Sequence, residues 1–268
     1  MTTRAVKGLA RAFAGALIFA LPMLMTMELW NIGFYISPLK LAILLAVTLP
    51  LLIGLSWLRG FEPAANLTDD IVEAFVAIAV GAVAATVILF LFGLISFDTS
   101  LREAVGKIAL QTVPGSMGAS LARGQLGTEG KAGDDHSVLS YPVVLLMMTA
   151  GALFLGLNIA PTEEVVVLAY SMAAWQLIAL AILSLAVMHA FVYVVGFRGA
   201  PDLLPGSTFS SRFVQYTLVG YGIVLLLSLY ILWTFGRTDS TSAVEILNAC
   251  IVLGFPSALG AAASRLIL

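Results

Sequence analysis

Charge is what this chain has least of. Asp, Glu, Lys and Arg together make up 10% of its 268 residues, while 60% are hydrophobic and the mean hydropathy is +1.04. Soluble domains carry roughly 25% charged residues, so the balance excludes an ordinary soluble fold and points to a chain that crosses a bilayer many times. A single cysteine, Cys250, excludes an intrachain disulfide and offers neither a redox pair nor a zinc site. The signatures H-E-x-x-H, G-x-S-x-G and the Walker loop are missing, so nothing points to an enzyme or to a cofactor. The PGSMGAS stretch around Ser116 looks like a nucleophile loop but falls inside a predicted helix. Basic patches suited to nucleic acid are missing as well.

What is present is a succession of apolar runs. Windows of roughly 20 residues predict eight spans, near 9–30, 39–58, 71–97, 101–123, 139–159, 163–197, 213–235 and 243–266. The N-terminus begins like a signal peptide, but its apolar run continues to Trp30 and reads as a retained first helix. The fourth span contains Arg102, Glu103, Lys107 and Gln111, and is kept because it matches the eighth. The sixth is too long for a straight crossing, so it must tilt, project, or begin as an interfacial segment.

That match is the most specific pattern in the chain. SLREAVGKIALQTVPGSMGASLAR from Ser100 and SAVEILNACIVLGFPSALGAAASR from Ser242 share Ser, Glu, Pro, Gly, Ala and Arg at a constant offset of 142 residues. The expected fold is therefore an all-α membrane protein whose eight transmembrane helices form two parallel four-helix repeats. Residues 1–127 make the first repeat, 128–138 a cytoplasmic linker and 139–268 the second. With an N-terminus inside, nine of the 13 Lys and Arg residues fall on the inner side, which predicts cytoplasmic termini in a bacterial inner membrane. Trp30, Trp57 and Trp233 fall at predicted helix ends, as an interfacial aromatic belt would place them.

The repeated segments also hold the candidate site. Ser100 with Glu103, and Ser242 with Glu245, carry the S-x-x-E capping-box spacing. Each glutamate thus has two readings, a helix cap or an ion-attracting carboxylate. Pro114 and Pro256 each remove one helical donor near mid-depth, freeing the carbonyls of Leu110 and Val252 for a neighbour, a water or an ion, or simply kinking the helix. The small residues after each proline let backbones approach closely. Lys107 is too costly to face lipid, so it is expected to pair with Glu103 or Glu28. Glu103, Lys107, Gln111, Pro114 and Gly118 share one stripe, whereas the second repeat has Ala249 and Leu253 at the Lys107 and Gln111 places.

Glu28 lies within a turn of Trp30, where it is either interfacial or buried. Arg123 and Arg265 read as interfacial anchors, and the acids before the third span as helix-start charges. His189 reads either as a proton shuttle or as a hydrogen-bonded histidine, and His136 as a loop residue of weak metal potential.

The stretches MLMTMELW (23–30) and KIALQTVPGSMGASLARGQLG (107–127) resemble a family of uncharacterised bacterial integral membrane proteins. The resemblance covers most of the chain and implies a bacterial inner-membrane protein, without naming a ligand or a site. The functional expectation is passage of a small cation or proton between the two repeats, by way of Glu28, Glu103, Lys107, Gln111, Pro114, Glu245, Asn248 and Pro256. The rival is a sensor, scaffold or subunit in which the same residues are caps, kinks and packing. The lipid bilayer is the one partner implied, and an oligomer is compatible with the sequence.

Overall fold

In the computed structural model, residues 3–57, 67–126, 140–193 and 213–267 are described. Among them every regular element is helical. The inter-repeat linker with its Asp134–Asp135–His136 run, the loop at 198–211, and Arg59, Lys131 and Arg212 lie outside the described residues.

The chain divides into two compact units, Met1–Lys131 and Ala132–Leu268. The first holds α1 (Thr3–Leu24), α2 (Met27–Tyr35), α3 (Pro38–Trp57), α4 (Leu67–Leu91) and α5 (Leu101–Leu126). The second holds α6 (Tyr141–Ile159), α7 (Glu164–Ser171), α8 (Ala174–Tyr193), a π-helical turn (Phe213–Leu218) that leads into α9 (Val219–Thr234), and α10 (Ala243–Ile267).

Seven of the described helices are long and apolar enough to cross a bilayer: those at 6–24, 38–57, 67–91, 141–159, 174–191, 213–234 and 243–264. Besides the short α2 and α7, the described helix outside that set is α5. Its 26 residues would reach about 39 Å, ample for a crossing, but Arg102, Glu103, Lys107 and Arg123 lower its hydropathy.

Two predicted spans need correction. The expected first span, 9–30, breaks at Met25–Thr26, where α1 ends and α2 begins. The Thr26 hydroxyl donates to the Pro22 carbonyl at 2.8 Å. The indole N–H of Trp30 donates to the Leu24 carbonyl at 2.8 Å, so this tryptophan serves an exposed helix end. The expected sixth span, 163–197, is two helices. Met172 is extended (φ −76°, ψ 134°), and the Gln176 side chain accepts from the Ala173 N–H at 2.7 Å, capping α8. Hydropathy cannot register such a break, because the residues on both sides are equally apolar.

In the first unit α5 is the central member, packed against α1, α2, α3 and α4. It runs antiparallel to α1: Gly118 meets Gly15, while Ala104 and Ile108 lie with Ala20 and Leu24 at the other end. A Cβ on Gly118 would lie 2.5 Å from that of Phe19, and one on Gly81 would lie 2.6 Å from the Ser116 amide. Contacts this close are how helices associate where lipid removes the hydrophobic drive. From Leu110 to Leu121 every residue of α5 is buried.

In the second unit α10 takes the central place, against α6, α7, α8 and α9. Gly260 crosses α6 at Gly151, where a Cβ would lie 2.8 Å from the facing carbonyl carbon. Its core gathers Val144, Met148, Ala152, Met188, Tyr221, Val224, Ala258 and Ala261.

Candidate functional site

The site begins with the turn between α4 and α5. Gly93 takes the left-handed conformation (φ +69°) just past α4, with its N–H bonded to Phe90 and the Leu94 N–H bonded back to Leu89. This is a Schellman closure, and only glycine adopts that φ without strain. The turn leaves the Leu94 carbonyl without a helical donor.

Lys107 fills that gap. Its ammonium donates to the Leu94 carbonyl at 2.8 Å and to Glu103 Oε1 at 2.5 Å, one turn earlier on α5. The Phe34 ring on α2 covers it, with Nζ 4.5 Å from the ring centre. The Lys107 side chain is 6% exposed and that of Glu103 18%. A buried ammonium is tolerable only when fully paired, and here a carboxylate, a carbonyl and a π face share it. Short α2 comes close enough because glycines meet: a Cβ on Gly33 would lie 2.5 Å from Lys107 Cγ, and one on Gly106 would strike the Gly33 carbonyl. The sequence offered two partners for Lys107, and the structure pairs it with Glu103.

Gln111 follows one turn deeper and is 1% exposed, with neither Oε1 nor Nε2 partnered. Pro114 is buried in the interior of α5, where the Thr112 hydroxyl bonds to Ile108 and that of Ser116 to Val113. Glu28 lies half-buried in the first turn of α2, with no ion pair to Lys107.

The matching residues of the second unit are used differently. Glu245 Oε2 accepts from the Ser242 N–H at 2.9 Å, and Ser242 Oγ accepts from the Glu245 N–H at 3.3 Å, a complete capping box. In the first unit only half of that box forms, from the Glu103 N–H to Ser100 Oγ at 3.3 Å, since the carboxylate is turned to Lys107. Asn248 is half-buried and Pro256 partly exposed, while Ala249 and Leu253 are buried at the places of Lys107 and Gln111. A second Schellman turn, at Gly236 (φ +75°), presents Arg237, whose Nη2 donates to the Pro161 carbonyl between α6 and α7.

His189 bonds through Nδ1 to the Thr217 hydroxyl at 2.9 Å and stacks edge-on with Phe213.

Phe34, Leu94 and Arg237 belong to these arrangements but carried no sequence signal. A backbone carbonyl is invisible in a sequence, and an exposed phenylalanine looks like any lipid-facing residue. The pair Gly33 and Gly106 was the readable hint that two backbones meet at the level of Lys107.

No curated protein and no solved structure matches the chain. Residues 8–268 match the family model described as "Putative integral membrane protein (DUF2391)", nearly the whole length of a chain with seven membrane-length apolar helices. The chain therefore belongs to this family of integral, multi-pass membrane proteins.

Proposed function

We propose that this protein passes a small cation or proton across the bacterial inner membrane, with α5 as an eighth, shielded span and both termini cytoplasmic. The carrying observation is the ammonium of Lys107, held by Glu103, the Leu94 carbonyl and the Phe34 ring inside a bundle of membrane-length helices. Ionisable residues at such places are functional by default, since a merely structural role is served more cheaply by apolar packing. The three groups around Nζ suit a monovalent cation, and Lys107 is its tethered stand-in. A cation or proton reaching Glu103 neutralises the carboxylate and loosens the ammonium, and Gln111 and Pro114 lie next along the same helix. Only part of the path expected from the sequence enters the proposal. Glu245 is engaged as a cap, and the gate is assigned to the first unit alone.

The test is cation and proton flux into proteoliposomes. Glu103→Gln is expected to reduce flux at least about tenfold, equivalent to roughly 1.4 kcal/mol, while Glu245→Gln leaves it unchanged. Equal flux from wild type and both variants removes the gate assignment.

A second reading has its own observation. The unbroken burial of α5 from Leu110 to Leu121, with glycine contacts to α1 and α4, suits a dry bundle that transports nothing. The Lys107–Glu103 pair would then be a latch tying α2 and the α4–α5 turn to α5. Flux through the wild type separates the readings: the dry bundle shows none, and replacing both partners with apolar residues then alters stability alone.

A further inference from the structure

Among the described residues, the carboxamide of Gln111 is the one side-chain group with two buried polar atoms and no protein partner for either. It offers two N–H donors and an oxygen with two lone pairs, and both heavy atoms are buried with no partner. Its neighbours on α5 are committed. The Lys107 ammonium is shared among Glu103, Leu94 and Phe34. The Thr112 hydroxyl is bonded to Ile108 and the Ser116 hydroxyl to Val113. Side chains on a helix lean toward its N-terminus, so the amide lies over the turn that carries Lys107.

We infer that Gln111 is the binding site of a single buried water molecule. The ligand's chemistry follows from the amide's dual character. A bare cation would satisfy Oε1 and leave Nε2 unmet, and an anion would do the reverse. Water accepts from Nε2 and donates to Oε1 at once, and buried waters of this kind are regular parts of protein interiors, typically making about three hydrogen bonds. The Leu110 carbonyl also lacks its usual helical donor, because Pro114 has no N–H. The site adds a water to the polar file Glu103–Lys107–Gln111 along α5. It stands whether or not the protein transports.

The experiment is water-edited solid-state NMR on the full chain in lipid bilayers, with glutamine labelled by nitrogen-15. The chain has four glutamines, Gln111, Gln125, Gln176 and Gln215, and the Gln111 signals are those lost in Gln111→Leu. The side-chain amide of Gln111 is expected to receive magnetisation from water at short mixing times, while its own helical backbone amide does not. The melting temperature of Gln111→Leu is expected to equal that of wild type or fall below it, since a hydrated amide carries no unpaid desolvation for leucine to relieve. A side-chain amide as silent as the backbone amide, or a clearly higher melting temperature in Gln111→Leu, overturns the inference. Flux through the Glu103 variants is measured separately, so failure here leaves the gate proposal to its own test.

Discussion

Helices α5 and α10 begin with the same four-residue signature and spend it in different ways. At the start of α10, Ser242 and Glu245 satisfy each other's backbone N–H groups. At the start of α5, Ser100 still caps, but Glu103 has turned inward to a lysine that the second unit lacks. The difference propagates down the helix: Lys107 and Gln111 in one unit, Ala249 and Leu253 in the other, all of them buried. Each unit also places a cation beside its short helix. In the first, Lys107 reaches out from α5 to the Schellman turn after α4; in the second, Arg237 sits on the Schellman turn after α9 and reaches toward the start of α7. Of the two helices, α5 buries a lysine and a glutamine where α10 buries an alanine and a leucine. This asymmetry is the reason to look for function in the first unit.

The comparison breaks most visibly at the glycine crossings. Gly118→Ala and Gly260→Ala each push a methyl group into the backbone of the facing helix, at Gly15 and Gly151. Each is expected to cost about 3 kcal/mol, at the upper end for overpacking, with a similar fall in melting temperature for the two. If one variant melts like wild type, the crossings are not equivalent.

A smaller but more selective effect is expected at the ion pair. Lys107→Met leaves the Glu103 carboxylate, only 18% exposed, without its partner, a loss of roughly 3 kcal/mol before solvent reduces it. Glu103→Leu with Lys107→Met should recover most of that loss, because an apolar pair needs no compensation. Thermal melts of the single and double variants form the cycle. A double variant as unstable as the single would mean that the pair organises α2 and the α4–α5 turn beyond its own charges.

The smallest changes belong to the caps. Ser100→Ala and Ser242→Ala each remove one N-cap bond of the same length, and each should cost about 1 kcal/mol, or a few degrees. Glu245→Gln should leave the melting temperature where it is, since a glutamine oxygen still accepts from Ser242. Glu103→Gln should lower it, because the ammonium loses its charged partner. Equal responses from the two glutamine variants would erase the distinction drawn between the helices.

Much of this was readable in the residues. The two serine caps, the Ser242–Glu245 box, the Lys107–Glu103 spacing and the small residues Gly118 and Gly260 all act locally or through one helix face, and periodicity reports such things. The break at Thr26 was not readable, because it does not interrupt the hydropathy, and at Met172 only the excess length of the apolar run was legible, with an interfacial start as one of three alternatives. The α8 cap depends on Gln176 serving Ala173, a box without the usual serine or threonine. Nor could spacing decide between Glu103 and Glu28 as the lysine's partner, since Glu28 is on another helix.

Composition alone settled that the chain lives in lipid, because a sequence with so little charge cannot cover itself in water. It also set which helices bear proline and small residues, through steric rules that operate within a few residues. Only the tertiary arrangement brought a loop carbonyl and an aromatic ring from a separate short helix around one ammonium. Groups so far apart in the chain meet through backbone approach, and that proximity is fixed by packing.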